Sequence, residues 1–489
     1  MNTRIFISTI LLFVVASLDS FALPLENGPF QVGFRSYMIH DSSRTYFNGK
    51  DSIPRPLLVH FWYPAPEKCK GQALTFRHYI DLIAERDDFS KSPAEINKDT
   101  YYYIKGYSDY AKQNFGLDTS IGVQQILDSP VSAKSGMPLP TTEPRFPLII
   151  YAPSNGKVSV QNHSLCEYLA SHGFMILSVA SAGPTSRNRE NMPKSTIAQV
   201  MDMEYILNYV EDSLNIQYTG LGLFGFSSGG NAITVFQMRN KQVDVVLSMD
   251  GSQEYSYYMQ LYKMKEYDLE KATVPYLSIV NNFNDYSIYP FYTSNTGTEK
   301  FIFRMNCLNH YGFISYWHFF ESCLPGSELS KISISYESMN GLILAFFSKY
   351  LNDEPSLFDN RHYAEGDNEY IIEMEIDFSN ITTLCNTLLD NNMDLATKQV
   401  QAHKDEFIAG RNQLNLLARM VINKDQSIWL YQESLKYEPD SWQTYYDMAI
   451  TYKNHGDITL AKDAVIKAQE MNPENDEIKN LLNKITKEL

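Results

Sequence analysis

Gly225-Phe226-Ser227-Ser228-Gly229 has the spacing G-x-S-x-G and closes an apolar run that begins at Leu221. A serine hydroxyl is a weak nucleophile until a base activates it. On a sharp strand-to-helix turn, however, its Oγ projects above the sheet where a base can reach it, and the flanking positions must be glycine to avoid clashes. The same turn aims the Ser228 N–H at a developing oxyanion, with help from the N-terminus of the helix that follows. The chemistry of such a turn is acyl transfer through a covalent intermediate on Ser227.

A turn of this kind takes its base from beyond the later strands, with the acid between nucleophile and base. His310, in Leu308-Asn309-His310-Tyr311-Gly312-Phe313, follows an expected strand near Phe301–Phe303 and fits that place. His318 lies in a helix-like aromatic run where packing is its natural role. Two aspartates fit the acid that would hold the imidazole tautomer. Asp250 ends the run Val243–Met249, and Asp285 follows the next one. Strand position alone slightly favours Asp285, although an Asn-Asp pair also forms turns.

The elements that must position these residues alternate. Val32–Ile39 and Leu57–Tyr63 read as the first strands. Residues 74–140 read as helices and polar loops, a lid or flank over the sheet. From Phe146 onward come strands at Leu148–Ala152, Phe174–Val179, Gly220–Phe226, Val243–Met249, Tyr276–Val280 and Lys300–Arg304. Helices are expected at Ser164–His172, Ile197–Val210, from Ser228, and at Ser338–Leu351. Continuous apolar strands separated by helices predict an α/β fold with a doubly wound, mostly parallel sheet over residues 23–352.

A polar linker is expected over 353–400, then a helical domain over 401–489. Within it, Pro439 and Pro473 stand 34 residues apart, enclosing Trp442, Tyr445, Ala449, Tyr452, Gly456, Ala461 and Ala468. The small residues among them, Ala449, Gly456, Ala461 and Ala468, let two antiparallel helices pack closely, and the period is that of tetratricopeptide repeats. One such repeat is clear, which leaves room for a protein partner at the tail.

Arg4, the apolar run Ile5–Ala16 and Ser20-Phe21-Ala22 have the order of a secretory signal peptide, residues 1–22, cleaved after Ala22. The run is too short to span a bilayer comfortably, so a periplasmic or secreted chain without a transmembrane segment is expected. The 489 residues carry a formal charge of −16, which argues against a nucleic-acid partner. Five cysteines leave at least one thiol unpaired in a monomer, and Cys307 with Cys323 is the one candidate disulfide. No metal-ligand spacing is present, and the proposed chemistry needs no cofactor. The 34 tyrosines fit either a compositional bias or aromatic walls around a substrate cleft.

Ala170-Ser171-His172-Gly173-Phe174 together with Gly225–Gly230 resembles the α/β-hydrolase group of platelet-activating-factor acetylhydrolases and dienelactone-hydrolase relatives. Gly28–Gly33, Arg55–Val59 and Trp62–Ala65 resemble its first strands, so the likeness spans about residues 28–350. It implies a serine-dependent carboxylic-ester hydrolase acting on a small or lipid-like ester. In the acetylhydrolase branch the acid maps onto Met249-Asp250. In the polyester-hydrolase branch, Val274-Pro275-Tyr276-Leu277 before Asp285 matches instead, and the Asp-Gly-Ser context favours Asp250. The group often has His-Gly-x-Gly after the third strand. Here Ala152-Pro153-Ser154-Asn155-Gly156 stands there, so Asn155 would complete the oxyanion hole with Ser228 while the loop shape departs from the pattern. The rival expectation is an interaction protein that keeps this fold, has weak or no catalysis, and docks partners through its tail.

Overall fold

The computed structural model describes residues 26–488 apart from 87–90, 117–121, 155–158, 182, 187–189, 191, 282–286, 296–298, 324–328, 356–357, 359–370, 374–376 and 410–411. Among the described residues, eleven strands form one sheet. In chain order they are β1 Gln31–Phe47, β2 Ser52–Ala65, β3 Gln72–Thr75, β4 Pro130–Ser135, β5 Phe146–Ala152, β6 Met175–Ala180, β7 Tyr218–Phe226, β8 Val245–Met249, β9 Tyr276–Asn281, β10 Lys300–Met305 and β11 Ile371–Glu373. Their order across the sheet is β11-β10-β9-β8-β7-β5-β6-β2-β1-β4-β3.

β1 and β2 pair as an antiparallel hairpin, and β2 pairs antiparallel with β6. From β6 to β10 every neighbouring pair is parallel. The period-two alternation of these strands divides two cores. Leu148, Ile150, Leu221, Leu223 and Val246 face one side, with Val200, Met203, Ile233 and Phe236 of helices Lys194–Asn208 and Ser228–Arg239. Ile149, Tyr151, Phe224, Val245 and Leu247 face the other, with Leu165 and Leu169 of helix His163–Ser171 and Leu342, Ile343 and Phe346 of helix Lys331–Leu351. Strands buried on both faces are near-continuously apolar, which is why β5, β7 and β8 read as largely apolar runs, with Ser248 the buried polar exception in β8. This is the α/β-hydrolase fold. Its strand order reverses at β5, where β6 lies on one side and β7 on the other. A crevice opens at such a switch point, beyond the carboxyl ends of the strands.

Three expectations change. Residues 74–140 are not only helix and loop, because β4 extends the sheet parallel to β1 and β3 pairs with β4. Pro130 begins β4 and only Ala133 in it is fully buried, so this edge strand carries almost no apolar signal. The stretch expected as a linker contains β11 and the helices Ser379–Leu389 and Met393–Ala402. Ile381, Leu384, Cys385 and Leu388 form a buried stripe at helical spacing, masked in the sequence by Asn and Thr between them. Helix Lys331–Leu351 also starts before Ser338, because the Ser330 side chain caps it through the Ser333 N–H.

Cys307 and Cys323 do not pair, and all five cysteines are free thiols. Cys307 lies in the turn after β10, whereas Cys323 closes helix Ser315–Ser322.

In the tail, helices Trp442–Asn454 and Ile458–Met471 are joined through Gly456, whose φ of +83° suits glycine. Ala449, Ala461, Ala464 and Ala468 are buried where the two helices meet. The apolar core runs without interruption from the sheet into this tail. At the junction the Tyr258 hydroxyl donates to Asn386 Oδ1 at 3.0 Å. The Tyr289 ring lies 6.0 Å from that of Phe378. No described helix is long and apolar enough to cross a membrane.

Candidate active site

Ser227 stands between β7 and helix Ser228–Arg239 with φ +55° and ψ −122°, a conformation that non-glycine residues rarely adopt. Neighbouring backbone over-determines it. The Ser227 N–H donates to Met249 O at 3.1 Å, and Ser227 O accepts from the N–H groups of Gly230 at 2.9 Å and Ser252 at 2.8 Å. A Cβ on Gly229 would fall 1.9 Å from Ala152 O, and one on Gly225 would fall 2.6 Å from Gly229 C. The glycines of the motif are therefore required by close backbone approach, as the sequence predicts.

Those bonds tie the Ser227 turn to the end of β8, which carries Asp250. Asp250 is also held at positive φ, +46°, and its N–H donates to Ile279 O at 2.6 Å. The residue is 1% exposed. Oδ1 accepts from the Tyr255 hydroxyl at 2.6 Å and the Asn281 N–H at 3.2 Å, while Oδ2 accepts from Asn281 Nδ2 at 2.8 Å and bonds to His310 Nδ1. Burial acts to raise the Asp250 pKa. The hydrogen bond and charge of His310, with the bonds from Tyr255 and Asn281, outweigh burial and hold the carboxyl below its usual value.

His310 begins a short 3-10 turn, His310–Phe313, capped by Asn309 Oδ1 accepting from the Gly312 N–H at 2.9 Å. Its Nε2 is 3.1 Å from Ser227 Oγ. With Nδ1–H donating to Asp250, the lone pair of Nε2 faces the serine hydroxyl. Phe226 stacks on the imidazole, with ring centroids 5.0 Å apart. The loop is anchored across the switch point by the Ser315 hydroxyl donating to Gln161 O at 2.8 Å and the Ser315 N–H donating to Asn162 Oδ1 at 3.0 Å.

Ser227, His310 and Asp250 are thus brought into one hydrogen-bonded row, while His318 is not. His318 lies half-buried with Nε2 3.6 Å from Glu337 Oε1 and its ring stacked on Tyr336, and desolvation lowers its pKa to about 4. Ser228 opens the helix beside the serine. Asn155 and Asp285 lie outside the described residues.

A cavity of about 820 Å³ opens over the serine, lined by Ser154 and Gln161 on one side and by helix Pro93–Phe115 on another. From that helix Tyr103, Tyr107 and Tyr110 face it. The Tyr110 ring stacks on Trp317 at 5.2 Å and meets Tyr311 edge-on at 5.4 Å. Asp250's partners Tyr255 and Asn281 and this aromatic wall are not evident from the motif. Positions 103, 107 and 110 do carry a usable signal, since they fall on one helical face.

No family model and no curated protein matches the chain. Among solved structures it is similar to a ferulic acid esterase from Streptomyces cinnamoneus, at 17% sequence identity and a TM-score of 0.48, covering 72% of this chain and 98% of that one.

Proposed function

We propose that the protein is a serine hydrolase that cleaves carboxylic esters through an acyl-enzyme. The observation that carries this reading is the row in which His310 Nε2 lies 3.1 Å from Ser227 Oγ while Nδ1 bonds to the buried Asp250. His310 takes the serine proton as Oγ attacks the ester carbonyl, and Asp250 steadies the imidazolium that forms. The tetrahedral oxyanion is assigned to the main-chain N–H of Ser228 at the positive end of helix Ser228–Arg239, with Asn155 the second donor expected from the sequence alone. His310 returns the proton to the departing alkoxide. It then deprotonates water, which attacks the acyl-enzyme, and returns that proton to Ser227 Oγ as the acyl–oxygen bond breaks and the acid leaves.

The preceding residues 1–22 fit an export signal, which would place the mature enzyme in a periplasm or outside the cell. Residues 23–352 form the proposed catalytic unit, with the Pro93–Phe115 helix as its lid. Helix Ser379–Leu389, held by the Tyr258–Asn386 bond, and the tetratricopeptide-like tail behind it serve as a cap on that unit, a role supported by the continuous core.

Turnover of p-nitrophenyl acetate and butyrate by the purified protein tests the reading, with Ser227→Ala as control. Hydrolysis lost in the variant is expected. Wild-type protein inert toward both esters, with a tail that retains binding partners, would favour the interaction-protein alternative.

A further inference from the structure

Of the fifteen described residues lining the cavity over Ser227, seven are aromatic, against 13% of the whole chain. A general richness in tyrosine does not account for that density. The rings are also ordered. Starting at the imidazole of His310, Tyr311 follows at 5.5 Å, Tyr110 lies 5.4 Å from Tyr311, Trp317 5.2 Å from Tyr110, and Tyr107 6.3 Å from Trp317. This is an unbroken strip of touching rings that begins at the base and runs out along the cavity wall. Tyr311 is 50% exposed, so the strip is open to an occupant where it adjoins His310.

Aliphatic chains gain little from ring faces beyond ordinary area burial. A planar ring gains stacked or edge-on contacts with aromatic side chains in addition. Held strips of Tyr and Trp also cost little conformational entropy when a ring docks on them. The indole of Trp317 is fixed by its Nε1–H donating to Tyr311 O at 2.6 Å, which locks the strip's orientation before any ligand arrives.

Resting on the ester-hydrolase reading, we infer that the substrates are esters with an aromatic ring adjoining the scissile bond, seated on Tyr311 and Tyr110, with the buried Trp317 ring backing them. The strip sets specificity, and the Ser227 row does the chemistry. This differs from the lipid-like ester that the family resemblance implies.

The test uses matched pairs in which the ring is insulated from the carbonyl, so that intrinsic reactivity is similar. Ethyl phenylacetate is compared with ethyl cyclohexylacetate, and benzyl acetate with cyclohexylmethyl acetate. The quantity read is the ratio of kcat/KM within each pair. In at least one pair the aromatic member should be favoured about tenfold, and Tyr110→Leu and Tyr107→Leu should each move that ratio toward one. Ratios at or below one in the wild type overturn the inference, as do ratios unchanged in both variants. If no ester is turned over while a fluorophosphonate still labels Ser227, the ring-bearing substrate class is wrong and the nucleophile stands. If labelling fails as well, the hydrolase reading falls with it.

Discussion

Asn281 grips Asp250 at both carboxylate oxygens, through its main-chain N–H to Oδ1 at 3.2 Å and its side-chain Nδ2 to Oδ2 at 2.8 Å. The residue ends β9, the strand beside β8, so sheet pairing itself aligns Asp250 with His310. Charge-assisted bonds of this kind are stronger than neutral ones and keep the carboxylate ionised despite its burial.

The Tyr255 hydroxyl supplies the remaining bond to Oδ1. Tyr255→Phe is expected to lower kcat about tenfold with KM nearly unchanged, because one bond to a buried charge is lost and the cavity wall is untouched. Asp250→Asn should cost far more, on the order of 10⁴ in kcat, since the amide favours the wrong imidazole tautomer. Steady-state kinetics on one ester checks both.

Gly229 sits where its Cβ would be 1.9 Å from Ala152 O, a backbone atom that cannot step aside cheaply. Gly229→Ala should destabilise the fold by about 1–3 kcal/mol and remove activity through the Ser227 turn. Thermal unfolding followed by circular dichroism, together with turnover, would show both losses. A variant of normal stability and activity would contradict the account of the elbow.

Buried titratable groups shape the pH dependence of stability. Burial lowers His60 and His163 to about 3, and burial raises Glu167 and Glu254 to about 7. The histidines protonate in the unfolded chain near 6.5 and resist protonation when folded, so their contribution is whole above that pH and is lost as pH falls toward 3. The glutamates stay protonated when folded, so their contribution is whole below about 4.5 and is lost as pH rises through 7. The two slopes oppose each other between about 4.5 and 6.5. The melting temperature should form a plateau there and fall on either side. Glu254→Gln should flatten the fall on the alkaline side, and a differential scanning fluorimetry series in pH would read it.

Removal of residues 379–489 would uncover the apolar surface now covered by Ile381, Leu384 and Leu388, including the ring of Tyr289. Such a truncation is expected to be insoluble, which expression followed by size-exclusion chromatography would establish. A soluble, active truncation would show that the tail is dispensable to the fold and is free to serve a partner.

The residues most legible in the sequence are those whose chemistry is local. The Ser227 turn can be read because close backbone approach demands glycine at 225 and 229, and His310 because it follows a strand of the right order. The choice between Asp250 and Asp285 was open at the level of residues, since the acid is defined by the meeting of β8, β9 and the His310 loop rather than by its neighbours in the chain. Asp250 is the one in contact, and Asp285 lies outside the described residues. The β4 edge strand and the helices at Ser379–Leu389 and Met393–Ala402 escaped because their apolar positions are few and spaced among polar residues. The aromatic strip was visible only as a surplus of tyrosine, because it joins residues near 107 to residues near 314 through tertiary packing alone.

The central claim is that Ser227 is a nucleophile driven by His310. Intact-mass spectrometry after brief exposure to a fluorophosphonate tests it most directly. One adduct per chain, located on the peptide containing Ser227, is expected for the wild type, with none in Ser227→Ala and labelling slowed by at least about a hundredfold in His310→Ala. An adduct elsewhere, or equal labelling of the wild type and Ser227→Ala, would contradict the account.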